Sequence, residues 1–414
     1  MKSVPEPPRR ILVVGGGVAG FSAVNELRAR GYEGALTVLS PEGLPYDRPP
    51  LSKGYLLGTE DADKIRLAPE AWYAERGVEV LPERAVALRP AEGGVELDGG
   101  RLLAADRVLL AVGGTPRTLR IPGGEAAMTL RSRADSDALR QVLVPGARVA
   151  IVGAGLIGAE VASAAVDLGA EVALIDPVEL PLAPAVGEAM ARRLHAMHGE
   201  RGVRTVVSLP VEIAAGSAND GAAHLVRLAD GSSVVADAVV AGIGIAPETG
   251  LAAAAGIAVD DGVIVDPSGA TSNPVVFAAG DASRLRVPDG TLLRRAEHWE
   301  AAVRSGQAAA AGLLGGPAPA FGAPWLWSDR HGVHVEAVGT LDPRQAPGSR
   351  TVLRAVGGVP QAAFLVAADG HLLGCAAVDL PLMVRAARRM IDRGLTPDPD
   401  ALADPAVDPR KLAR

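Results

Sequence analysis

One supersecondary pattern occurs twice in this chain. RRILVVGGGVAGFSAVNELRARGYEGALTVLS begins at Arg9, and ARVAIVGAGLIGAEVASAAVDLGAEVALID begins at Ala147. Each copy has four apolar residues, a glycine-rich turn, an amphipathic helical segment, a glycine and a second apolar strand. That is the order of a βαβ unit of about 30 residues. The expected fold class is α/β, with two Rossmann-like dinucleotide-binding domains.

The glycines have separable jobs. Gly15, Gly17 and Gly20 form the first fingerprint, and Gly153, Gly155 and Gly158 the second. In each, the first makes the tight turn and the second lets a pyrophosphate approach the backbone. The third lets the helix lie close on the sheet. The helix N-terminus offers unpaired N–H groups and partial positive charge to the phosphates. In the second copy Asp176 ends the strand EVALID. A carboxylate there accepts ribose hydroxyls and repels a 2′-phosphate, which predicts NAD in preference to NADP. The corresponding strand of the first copy ends at Ser40, with Glu42 two residues on. Either side chain, or the backbone alone, is a candidate for the adenosine ribose.

Composition narrows the class. The chain has 414 residues, enough for two to four domains, and only 3% are aromatic, so Val, Leu, Ile and Ala must fill the cores. A net charge of −7 supplies no basic field for nucleic acid. One cysteine, Cys375 in the apolar segment HLLGCAAVDL, rules out an intrachain disulfide and a CxxC pair, and it points to a reducing, cytoplasmic setting. The segment MKSVPEPPRR precedes an apolar run, but three glycines break that run and no cleavage pattern follows, so it is not read as a signal peptide. No uninterrupted run of 18 apolar residues predicts a membrane span. His298, His331 and His334 lack zinc-ligand spacing, so no metal is expected. No GxSxG elbow suggests hydrolysis.

Several further segments carry a resemblance over nearly the whole chain. They are PYDRPPLSK, LLAVGGTPR (Leu109 to Arg117), GAGLIGAEVA, VVAGIGIAPET (Val239 to Thr249), TSNPVVFAAGDAS (Thr271 to Ser283), AEHWEAAVRSGQAAA and PWLWSDRHGVHVEAVG (Pro324 to Gly339). In this order they resemble the FAD- and NADH-dependent ferredoxin reductases that serve cytochromes P450 and ring-hydroxylating dioxygenases, on a glutathione-reductase-like fold. The resemblance implies an FAD-binding domain from residues 1–113 and 242–318, an NAD-binding domain at 114–241, and a C-terminal α/β reductase domain at 319–414. The tract GGPAPAFGAP suits the last boundary, and the proline-broken tail LADPAVDPRKLAR is expected to be irregular.

The resemblance also implies site residues. Lys53 would lie beside the flavin and stabilise negative charge on it, held by Glu160, which would face the nicotinamide carboxamide. Asp281 would bind the ribityl chain, Arg48 would approach the pyrophosphate, and Arg131 would touch the FAD. Trp299 and Trp327 would line the flavin pocket. The remaining cofactor contacts are expected at Ala19, Val86, Ala111, Gly113, Leu156, Ile157, Gly244, Glu297 and His298. Arg330 stands where the family pattern has Gln. With no dithiol, electrons would leave to an external [2Fe–2S] ferredoxin, docked near Arg385, Arg388 and Arg389 or near Arg284, Arg286, Arg294 and Arg295. Rubredoxin reductase, NADH oxidase or diaphorase activity, and a redox-sensing flavoprotein, are the alternatives.

Overall fold

The computed structural model describes residues 8–216 and 221–413. Residues 1–7, with most of the basic proline-rich opening, lie outside them. The chain divides into two compact units. The first takes the segments ending at Pro49, Glu60–Thr115 and Ile245–Phe321. Its centre is a parallel sheet in the order Val276–Ala278, Arg107–Leu110, Arg10–Val14, Ala35–Leu39, Val78–Leu81. The central strand is apolar at consecutive positions because both its faces are covered. Ile11 and Val13 enter one core and Leu12 and Val14 the other. The helix Val18–Ala29 packs on Trp299–Leu313. A Cβ at Gly306 would come 2.3 Å from the Ala19 carbonyl oxygen, so close backbone approach replaces bulky side chains there.

The second unit takes Pro50–Thr59, Pro116–Gly244 and Gly322–Arg414. It repeats the parallel arrangement in the order Arg204–Val207, Glu171–Asp176, Arg148–Val152, Ala238–Ala241. A five-stranded antiparallel sheet follows in the C-terminal segment, ordered Trp325–Arg330, Val333–Gly339, Leu372–Val378, Val359–Val366, Arg350–Val356. Its side chains alternate between two cores. Val338, Phe364, Cys375 and Ala377 pack with the helix Pro381–Asp392. Ala337, Ala363, Leu365 and Ala376 pack with the helix Glu188–Glu200. Cys375 is fully buried, and burial pushes its thiol pKa up.

Two expectations need correction. The helix Leu156–Asp167 of the second fingerprint is buried continuously from Gly158 to Ala165 rather than along one face. The strand Trp325–Arg330 covers the side that amphipathicity would have left to solvent. The tail is ordered, not irregular. It carries the helices Pro399–Ala403 and Pro409–Leu412, N-capped by Asp398 and Asp408 with proline in the first turn. Buried Arg354 donates to the carbonyls of Ala401, Leu402 and Val407, which fixes this segment to the sheet.

Candidate functional site

The two glycine turns repeat each other closely. Gly15 has φ +121°, and a Cβ there would sit 2.2 Å from the Ala111 carbonyl oxygen. Gly153 has φ +100°, and its Cβ would sit 2.5 Å from the Gly242 oxygen. Only glycine serves at either place. A Cβ on Gly20 would meet the Gly15 oxygen at 2.2 Å, and one on Gly158 the Gly153 oxygen at 1.9 Å. These are the helix-packing glycines. By contrast, a Cβ on Gly17 or Gly155 would meet nothing within 4 Å. Each is the N-cap residue of its helix and makes no side-chain cap bond. Each unit therefore holds an open concavity at a helix N-terminus, bordered by a glycine that its own fold does not require. That fits a pyrophosphate.

The strand ends next to these turns differ. In the second unit Asp176 accepts the Ala154 N–H at 2.8 Å on one oxygen and the Val178 N–H at 2.8 Å on the other. The carboxylate thus holds the fingerprint turn through one bond to each oxygen. In the first unit Ser40 is buried beneath the turn, where its Oγ occupies the space a Gly16 side chain would need. Glu42 accepts from Tyr46 Oη at 2.6 Å and lies 3.6 Å from Arg48 Nη2. Asp281 lies in the turn Gly280–Ala282, whose Gly280 has φ +71° and packs against Ala19. Trp299 opens its helix after His298 and donates from Nε1 to Asp47 at 2.8 Å. Glu297 pairs with Arg295 at 2.9 Å.

Lys53 and Glu160 come together in the second unit. Lys53 Nζ is 3.3 Å from Glu160 Oε1 and 3.3 Å from Asp329 Oδ2. It also lies 5.4 Å from the centre of the Trp327 ring, which stacks on Trp325. Glu160 is 6% exposed and accepts two short hydroxyl bonds, from Ser52 Oγ and Ser328 Oγ, both 2.5 Å. Sequence reasoning missed Ser52, Ser328 and Asp329. The available signal was adjacency, since Ser52 precedes Lys53, and Ser328 and Asp329 follow Trp327. The prolines upstream hold the segment as a tight turn, Pro49–Ser52. Ser136 Oγ and Arg140 then tie Leu51, Tyr55 and Leu56 through their carbonyls. Lys53 is thus delivered by a braced loop.

Arg330 ends the strand Trp325–Arg330, before a two-residue hairpin turn in which His331 (φ +51°) and Gly332 (φ +78°) are both left-handed. Arg330 is 2% exposed, and burial pushes its guanidinium down to about 10 against the attraction of Glu160 and Asp329. Behind it His331 Nε2 meets His198 Nδ1 at 2.8 Å. Burial, then the neighbouring His331 and Arg330, lower His198 to about 3. Asp329 also pairs with His334 at 2.6 Å.

The other expected positions are more scattered. Ala111 and Gly113 (φ +74°) follow the strand Arg107–Leu110, while Val86 is an exposed residue of the meander strand Ala85–Arg89. Leu156 and Ile157 begin the second fingerprint helix, and Ile157 is exposed. Gly244 (φ +94°) accepts the Arg117 N–H. The Arg131 N–H enters the capping box that starts the helix Arg133–Val142. Among the described residues no group of three His, Cys, Asp or Glu is placed to hold a metal, and no helix is long and apolar enough to cross a membrane.

Comparison with known proteins gives this geometry a context. Residues 9–306 match the pyridine nucleotide-disulphide oxidoreductase family, and residues 325–413 match the reductase C-terminal family. The chain is 38% identical to the anthranilate 1,2-dioxygenase system ferredoxin–NAD(+) reductase component of Burkholderia cepacia, over 96% of this chain and 97% of the relative. It is 35% identical to the biphenyl dioxygenase system ferredoxin–NAD(+) reductase component of Paraburkholderia xenovorans (strain LB400), over 98% of each. Its fold superposes with TM-score 0.87 on the covalent putidaredoxin reductase–putidaredoxin complex, at 29% identity over 97% of each chain. With both glycine turns and the C-terminal sheet accounted for, the chain belongs to the pyridine nucleotide-disulphide oxidoreductase family and carries its reductase C-terminal domain.

Proposed function

We propose that this protein is an NADH-dependent flavoprotein reductase that passes electrons through FAD to a small [2Fe–2S] ferredoxin supplying a dioxygenase or cytochrome P450. The observation that carries this reading is the pair of open glycine cradles in a chain whose one cysteine is buried. Two dinucleotides fit, and no dithiol receives the electrons. The cradle at Gly15–Gly20 is assigned to FAD and that at Gly153–Gly158 to NADH, with residues 1–113 and 242–318, 114–241 and 319–414 as the FAD, NAD and reductase domains.

Bound FAD supplies the chemistry, accepting a hydride from NADH and releasing electrons singly. The chain's own residues bind and orient. Gly17 and Gly155 leave room for each pyrophosphate, and Asp176 takes the adenosine ribose of NADH. Asp281 receives the ribityl chain, and Glu160 fixes Lys53 as a charge directed at the ring system. The arginines of Pro381–Asp392 are the favoured ferredoxin surface, since Arg385 and Arg389 are exposed. Arg284 and Arg295 are already paired with Asp260 and Asp261. A single inert thiol suits the cytoplasm.

Anaerobic stopped-flow absorbance tests the reading. NADH should bleach the flavin band, and a [2Fe–2S] ferredoxin should restore it rapidly. Bleaching that only oxygen or a quinone reverses would move the assignment to an oxidase or diaphorase. A purified protein that binds no flavin would overturn it.

A further inference from the structure

Ser328 has one hydroxyl hydrogen and two partners. Its Oγ accepts from Arg330 Nη2 at 2.8 Å and donates to Glu160 Oε1 at 2.5 Å. A guanidinium has donors and no acceptor, so it can bond only to a lone pair of that oxygen. The serine hydrogen is therefore turned toward Glu160. An oxygen that receives this hydrogen is an acceptor, as a carboxylate oxygen is. Ser52 treats the second oxygen of Glu160 in the same way.

We propose that Arg330 is a positioning residue for Glu160, acting through Ser328. Its donor-only head fixes the direction of the Ser328 hydroxyl, and this holds the Glu160 carboxylate in one orientation in a buried place, aimed at Lys53. The charges facing one another here are two of each sign. Lys53 and Arg330 are cationic, and Glu160 and Asp329 anionic. The paired strand Val333–Gly339 presents His334, 2.6 Å from Asp329, and Glu336, 3.3 Å from His334. The helix Glu188–Glu200 presents His195 and His198, and the hairpin turn presents His331. Burial lowers His195, His198 and His331, so they add no compensating charge at neutral pH. Asp176 and Glu179 act on His195, while Arg201 and Asp167 act on His331. Arg330 is thus the cation on the buried side of Glu160. A glutamine at 330 could donate or accept, so it would not fix the serine hydrogen.

The proposal rests on the reading that Lys53 and Glu160 serve NADH oxidation, and the experiment separates the two. Flavin-loaded wild type, R330Q, R330K and S328A are labelled with 13C-glutamate. Each is followed by infrared spectroscopy and by stopped-flow reduction with NADH at one pH, about 7.5. R330Q and S328A should each shift the carboxylate stretching bands in the difference spectrum against wild type, and their reduction rate at saturating NADH should fall about tenfold. R330K, donor-only at 330 like the wild type, should show neither change. The double variant R330Q/S328A should be no worse than S328A alone, because Arg330 acts through that serine. R330Q and S328A that keep the wild-type spectrum and rate would overturn the proposal. S328A keeps the buried arginine and decides the matter if R330Q fails to fold. A wild type that NADH does not reduce would remove the functional reading, while the infrared comparison would still decide the role of Arg330.

Discussion

The buried histidine pair makes this protein sensitive to mild acid. His198 is 1% exposed, hydrogen-bonded to His331 and close to Arg330, and its folded value is about 3 against 6.5 for a free histidine. The unfolded chain therefore takes up the proton first. The stabilisation is complete above about pH 6.5 and is lost as pH falls toward the folded value. Each pH unit in that window costs about 1.4 kcal/mol per histidine, so at about pH 5 His198 alone removes about 2 kcal/mol. His331 and His195 are lowered in the same direction and add to the loss. Aspartates do not contribute there, since their ordinary value is 3.8 and the shifted ones lie lower still. For a unit of this size, about 2 kcal/mol corresponds to a fall in Tm of about 4–8 °C. Scanning calorimetry between about pH 7 and about pH 5 should show it. The variant H198F/H331N removes both rings, and asparagine tolerates the left-handed turn at 331. It should start less stable at neutral pH and lose little on acidification. A wild type with a flat Tm over this window, or a variant that loses as much, would refute the reasoning.

Four other outcomes follow from the same geometry. Gly17→Ala and Gly155→Ala should raise the stability of the ligand-free chain by about 0.4–1 kcal/mol, because φ is −78° and −68° and the space is open, while weakening FAD and NADH binding respectively. Gly20→Ala and Gly158→Ala should instead destabilise by about 1–3 kcal/mol, read by chemical denaturation. Lys53→Met should slow flavin reduction by NADH by about 10²–10³-fold with a smaller change in NADH affinity, which single-turnover kinetics resolves. Asp176→Ala should weaken NADH binding by about 1–3 kcal/mol and narrow the preference over NADPH, measured by titration calorimetry.

The parts of this molecule that could be read in advance are those where backbone geometry demands a residue type. Gly15 and Gly153 are legible because no other residue fits their φ and their contact with a neighbouring carbonyl. Asp176 is legible because it ends a strand at a fixed distance from that turn. Side-chain assemblies drawn from distant segments were not. Ser52, Glu160 and Ser328 are separated by 108 and 168 residues along the chain, and serine has no spacing rule that would mark them. The tail failed for a related reason. Its prolines read as breakers, but Asp398 and Asp408 turn each proline into a helix start, and the anchoring donors come from Arg354, far upstream.

Glu160 shows how a break in a local rule points to function. LIGAEVASAAVD is otherwise small or apolar wherever it is buried, apart from the capped-in Ser163. A helix pressed between two sheets gains nothing in stability from a carboxylate at its centre, since an apolar side chain of similar volume, such as methionine, would fill the space without desolvating a charge. Retaining the acid requires compensation from outside the helix. Two hydroxyls, one lysine and, through Ser328, one arginine provide it. Those partners lie on a proline-braced loop and on a strand of the C-terminal sheet, so both must be in place before Glu160 is tolerable. The same requirement ties the C-terminal sheet to the helix Leu156–Asp167. Loss of Ser328 or Arg330 should therefore be felt at Lys53, although neither is bonded to it.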